Sequence, residues 1–181
     1  MFFNNSKNNV HANSLGKTRT NIFLADKDFK IIYANDSAQE TLKTIGGEIR
    51  DTFNVHLNDI IGGSIHRFHK DPQRIEKILQ NPRALPHEAE FSFGTTTLKA
   101  SINACYDSRG VVESYIVNWE DVTKQTIIQK EMAQVSSMME NAPVNVLFCD
   151  PVDFKINYVN PASVKTLKTI EQHLPVAADK M

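Results

Sequence analysis

Two histidines three residues apart, His66 and His69 in the stretch IHRFHKDP (residues 65–72), are the side chains best placed for chemistry in this chain. Imidazole ligates iron, zinc or copper and serves equally as an ordinary polar core side chain. A zinc site needs carboxylates or thiolates at set spacings, and neither a His-Glu-x-x-His stretch nor a cysteine–histidine grouping occurs. Cys105 and Cys149 are the only cysteines and stand far apart, which argues against a disulfide framework and suits a reducing compartment. An axial bond to heme iron asks for less: one histidine, a large apolar slot, and cations or solvent for the propionates. Ile65, Phe68, Ile75 and Leu79 could line such a slot with the inward strand faces, while Arg67, Lys70 and Arg74 would stand near its rim. For catalysis the best grouping is His87 with Glu88 and Glu90, at the start of a strand without a nucleophile or oxyanion donors, so the chain reads as non-enzymatic.

Local patterns predict the elements that must hold these side chains. Asp71 is an N-cap and Pro72 a first-turn residue, opening a helix with Ile75, Ile78 and Leu79 on one face and Pro82 beyond its end. Three strands follow, with a period of two that fixes their faces. Ala89, Phe91 and Phe93 share one face of the first, Leu98, Ala100, Ile102 and Ala104 one face of the second, and Tyr115, Val117 and Trp119 one face of the third. Alanines on a face that ought to carry bulk leave room for a ligand, or for a closely packed helix. Upstream, NIFLAD and FKIIYAN predict a hairpin, Ser37 and Glu40 a capping box that opens a helix through TLKTI, and the glycine pairs 46–47 and 62–63 an irregular stretch of short turns.

NIFLADKDFKIIYANDSAQETLKTI (21–45) returns as NVLFCDPVDFKINYVNPASVKTLKTI (145–170), with one residue inserted. The expected organisation is a flexible arm over 1–17, one domain over 18–123, a linker helix over 124–142, and the truncated start of a second such domain over 143–181. In the linker Ile128, Met132, Val135, Met139 and Ala142 form a short heptad seam, which suits a homodimer or packing on the helix's own domain. A length of 181 residues with 41% hydrophobic residues supports one full core and part of another. The net charge of −1 gives no reason to expect nucleic acid or an anionic membrane as partner. Neither a signal peptide nor an apolar run of roughly 20 residues is present, so the cytoplasm is the expected location.

Two strands, helices and three strands over about a hundred residues, followed by Asp121-Val122-Thr123, resemble the PAS fold. That is an α+β fold whose five-stranded antiparallel sheet carries helices over one face and encloses a ligand pocket. FHKDP before a helix, with a tryptophan ahead of D-x-T in NWEDVT, is similar to the heme-PAS domains of soluble bacterial aerotaxis receptors and related methyl-accepting chemotaxis proteins. The resemblance implies heme b with His69 as axial iron ligand, Trp119 as hydrogen-bond donor to bound oxygen, and Asp121 and Thr123 as the signalling hinge. The expected pocket is lined by Ile65, Phe68, Ile75, Leu79, Phe91, Leu98, Ala100, Ile102 and Val117. Oxygen, carbon monoxide or nitric oxide would be the small partner. His66 is a second candidate ligand, and Arg74 stands where some members carry another histidine. The alternative is a PAS module that binds another ligand or none and serves dimerisation. A flavin photosensor fits less well, because the cysteine motif of light-sensing members is missing.

Overall fold

A computed structural model describes residues 14–175 and 177; most of the expected N-terminal arm lies outside the described residues, and Ser14–Gly16 form a helical turn. The chain divides into two compact units, meeting in sequence after Lys124.

In the first unit, strands β1 (Asn21–Asp26) and β2 (Ile31–Ala34) form the expected hairpin. Asp26 Oδ1 accepts the Asp28 and Lys30 amides at 3.0 and 2.9 Å and closes the turn, with Phe29 in the left-handed region at φ 62°. Helix α1 (Asp36–Phe53) follows, but Ser37 does not cap it. Its N-cap is Asn35, whose Oδ1 accepts the Ala38 amide at 3.0 Å, while the Ser37 hydroxyl reaches back to Arg19 O and Asn21 Oδ1. Nor do Gly46 and Gly47 end α1. A Cβ at Gly46 would stand 2.7 Å from a Leu57 methyl carbon, so this glycine admits the next turn against the helix. Ala38, Leu42, Ile45 and Ile49 make a buried stripe at helical spacing.

Two 3-10 turns, Leu57–Asp59 and Ile65–Phe68, lead to helix α2 (Pro72–Leu79), capped by Asp71 through the Arg74 amide at 3.0 Å. Strands β3 (His87–Phe93), β4 (Thr96–Tyr106) and β5 (Val112–Asp121) complete an antiparallel sheet of order β2-β1-β5-β4-β3. The Glu48 carboxylate of α1 ties the β3–β4 turn by accepting the Thr95 hydroxyl at 2.6 Å and the Thr95 and Thr96 amides, both at 2.9 Å. Ile31, Leu42, Ile45, Ile49, Ile60, Phe93, Leu98 and Trp119 share one core. Each such side chain contributes about 1.5–3 kcal/mol on burial.

Helix α3 (Thr123–Glu140) runs from one unit into the other. The second unit adds β6 (Leu147–Cys149), β7 (Ile156–Val159) and α4 (Pro161–Thr169), a hairpin and helix in the order of β1, β2 and α1. Among the described residues no helix is long and apolar enough to cross a membrane.

Candidate functional site

The free edge of β2 positions the histidine segment. Gly62 N donates to Ile31 O at 2.7 Å, Ile31 N to Gly63 O at 2.9 Å, and Ile65 N to Phe29 O at 2.9 Å. Gly62 takes φ 88°, a conformation that suits glycine. Ser64 then caps the turn by accepting the His66 amide at 3.2 Å. His69 is the C-cap, in extended backbone, with its amide on His66 O at 3.1 Å.

The two histidines have different surroundings. His66 Nε2 lies 2.9 Å from Glu76 Oε1 of α2, and its ring meets Phe29 edge-on, with centroids 5.2 Å apart. His69 is half-buried, and its Nδ1 lies 2.8 Å from the Ile65 carbonyl. A carbonyl only accepts, so Nδ1 carries the proton and Nε2 keeps the lone pair. Burial pushes the His69 imidazole below its usual range, helped by the nearby His66 and opposed by the bond to Ile65 O. The result is a neutral, oriented imidazole, with the hydrogen-bonded second nitrogen typical of a metal-ligating histidine.

Trp119 lies inward on β5. Across the sheet its row reads Asn21, Trp119, Ala100, Ala89, so two alanines succeed the indole towards the sheet edge. Phe23 stacks on it at 5.2 Å and 28° between planes. Trp119 is 4% exposed, and its Nε1 is buried without a hydrogen-bond partner. An unmade bond of that kind costs about 1–3 kcal/mol, and most buried polar groups avoid it. His66 Nδ1 is also unpartnered, but the other nitrogen of that ring is engaged with Glu76.

The expected lining does not form one surface. Leu98, Ala100 and Trp119 belong to the main core, with Ile65, Phe68 and Val117 packed against it. Ile75 and Ile102 instead join Leu79 in a second cluster around Phe29 and Tyr115, and Ile65 touches both clusters. Phe91 is 41% exposed on edge strand β3, where it stacks on Phe93 and has no strand neighbour beyond. Arg67, Lys70 and Arg74 are exposed. Arg67 is nevertheless held by the Asp59 carbonyl. Sequence reasoning missed the contributions of Phe23, Phe53 and α1: Phe53 meets Phe68 at 5.4 Å and Phe93 at 5.1 Å, and the stripe from Ala38 to Ile49 was readable from its spacing. His87 and Glu88 are successive strand residues on opposite faces, and Glu88 and Glu90 are exposed.

At the end of β5, Asp121 Oδ1 accepts the Thr123 hydroxyl at 2.5 Å and its amide at 2.9 Å. The same hydroxyl accepts the Thr97 amide at 2.8 Å, and Val122 N donates to Thr97 O at 2.9 Å. The first turn of α3 is thereby bonded to β4, beside the strand that carries Trp119.

The family model of the PAS domain matches residues 19–124. The methyl-accepting chemotaxis protein McpB of Pseudomonas aeruginosa is 26% identical over 123 residues, which cover 67% of this chain and 18% of that protein. The solved structure of the Aer2 receptor from Vibrio cholerae, described as a dual PAS-heme oxygen sensor, aligns with a TM-score of 0.53 and 26% identity. The alignment covers 57% of this chain and 94% of that one.

Proposed function

Because the chain belongs to the PAS domain family, we propose that its first unit is a heme-based gas sensor in a bacterial chemotaxis or signal-transduction receptor. The observation that carries this reading is the buried Trp119 N–H, a donor without a partner on a sheet face thinned by alanines. The likeness to a PAS-heme oxygen sensor and to a chemotaxis protein supports it. Heme b, when bound, supplies an open coordination position for oxygen, carbon monoxide or nitric oxide.

The chain's own residues divide the remaining work. His69 offers a neutral Nε2, fixed in tautomer and direction by the Ile65 carbonyl. Ile65, Phe68, Leu98, Ala100 and Val117 exclude water, and the exposed Arg67, Lys70 and Arg74 suit carboxylates at the rim. Trp119 donates a hydrogen bond and accepts none, so it favours a gas that becomes a good acceptor when bound, oxygen above carbon monoxide. Filling that bond shifts β5, and Asp121 and Thr123 pass the shift into α3. Ile128, Met132 and Val135 are exposed on α3 and suit pairing with the same helix of a second chain. The second unit is read as the opening of another PAS copy, in a protein of the cytoplasm.

Heme reconstitution tests the proposal. Purified wild type acquires a strong Soret band that sharpens and shifts when the reduced protein meets carbon monoxide, and His69→Ala loses it while His66→Ala keeps it. A reconstituted wild type without a Soret band would overturn the heme reading and leave a PAS module for another acceptor-bearing ligand.

A further inference from the structure

The internal repeat extends further than its strands and helix. The last turn of the helix that enters each unit is bonded to the same side chain, the asparagine that caps the helix after the hairpin. In the first unit Asn35 Nδ2 lies 2.8 Å from Thr20 O, 3.0 Å from the Thr18 hydroxyl and 3.3 Å from Leu15 O, while its Oδ1 accepts the Ile22 and Ala38 amides at 2.9 and 3.0 Å. In the second unit Asn160 Nδ2 donates to Met139 O at 3.2 Å and Val144 O at 2.9 Å, and its Oδ1 accepts the Val146 and Ser163 amides, each at 3.0 Å. Leu15 and Met139 occupy the same place in the two copies, as do Thr20 and Val144.

We infer that Asn160 is the joint that couples α3 to the hairpin and helix that follow it, with Asn35 its counterpart for the helical turn that precedes β1. One planar amide there ties together the end of the helix, the residues that lead into the first strand, and the capped helix. Asparagine is suited to this, because its oxygen accepts from two amides and its nitrogen donates to two carbonyls; aspartate lacks the donors and serine the reach. Asn35 and Asn160 are 1% and 0% exposed, so water does not replace a broken bond. A displacement of the Met139 carbonyl therefore either carries the amide, and with it Val146 and Ser163, or breaks a buried contact. Tyr158 adds a second tie, its hydroxyl donating to Glu140 Oε1 at 3.0 Å, where the first copy has Gly16 near Tyr33. With Thr123 bonded to Thr97 at its other end, α3 is fastened by side chains at both ends. This coupling is a property of the chain whether or not the first unit binds heme.

Hydrogen exchange in the full chain tests the joint. Ala133 lies exposed in the middle of α3, and Ala133→Gly loosens that helix without touching either end. In the wild-type background this change is expected to speed exchange at the Val146 and Ser163 amides about fivefold, the size of a modest coupling. Asn160→Asp keeps the accepting oxygen and removes both donors, so in that background Ala133→Gly leaves the two amides unchanged. A purely structural Asn160 would alter baseline exchange but not the response; an equal response in both backgrounds, or none in wild type, overturns the inference. Should Asn160→Asp unfold the second unit, the side-chain amide protons of Asn160 decide in the otherwise wild-type chain. They are expected to be protected and to lose protection on Ala133→Gly, whereas those of exposed Asn157 stay unchanged; an unprotected or unresponsive Asn160 amide contradicts the joint.

Discussion

The two copies of the repeat have nearly the same local hydrogen bonding, but their hairpin turns differ in burial. Both hairpins close on an aspartate that accepts backbone amides, both put the following phenylalanine in the left-handed region, at φ 62° and 58°, and both slip register at the same place in the first strand. Thr41 and Thr166 even bond the equivalent Asn21 and Asn145 side chains, at 3.1 and 3.0 Å. Yet Phe29 is 6% exposed and Phe154 75%. β1 has β5 on its second edge, and Phe29 packs against Tyr115 at 5.4 Å, while β6 pairs with β7 alone among the described strands. Turns and caps thus follow from neighbouring residues, whereas burial needs strands that arrive about ninety residues later.

Paired substitutions can break that comparison. Phe29→Ala should cost about 3–5 kcal/mol and Phe154→Ala less than about 0.5 kcal/mol. Denaturant unfolding followed by far-ultraviolet circular dichroism reads both units, and the fluorescence of Trp119, the only tryptophan, isolates the first. Equal losses from the two changes would mean that the copies are not separately packed.

A smaller effect sharpens the contrast between the helices. α1 continues to Phe53 and reaches the β3–β4 turn through Glu48, whereas α4 ends at Thr169. Hydrogen bonds from Thr95, then Thr96, hold the Glu48 carboxyl below its usual range. A carboxylate depressed on folding contributes stability above its unfolded value, near 4.5, and that contribution is lost as pH falls through the lower folded value. The acid unfolding curve of Glu48→Gln should therefore be flatter than that of wild type in this window, and the two should converge at lower pH. Parallel curves would show that the clasp adds no stability.

The strands were legible because their alternation is local, and Ala100 and Trp119 fall on the predicted face as cross-strand neighbours. The Asp71 cap was legible for the same reason. Ser37 misled because Asn35, two residues earlier, offers the same cap and has a second set of partners near Leu15, far off in sequence. Gly46 misled because a glycine that admits Leu57 looks, in sequence alone, like one that ends a helix. For the candidate site, alternation gave the face but not the neighbours: Phe91 lies inward by period yet on an edge strand, and Ile75, Leu79 and Ile102 gather around Phe29 instead of Trp119. The spare N–H of Trp119 was not readable from sequence at all, since it depends on what β1, β4 and α1 leave beside the ring.

That N–H is also where the functional account is most exposed to test. Oxygen titration of the reduced, heme-reconstituted protein, wild type against Trp119→Phe, removes the donor and keeps an aromatic ring at that position. Trp119→Phe is expected to keep the same heme content and to bind oxygen about tenfold more weakly, the factor for one hydrogen bond of about 1.4 kcal/mol, with carbon monoxide affinity little changed. Unchanged oxygen affinity in Trp119→Phe would contradict the donor role of Trp119.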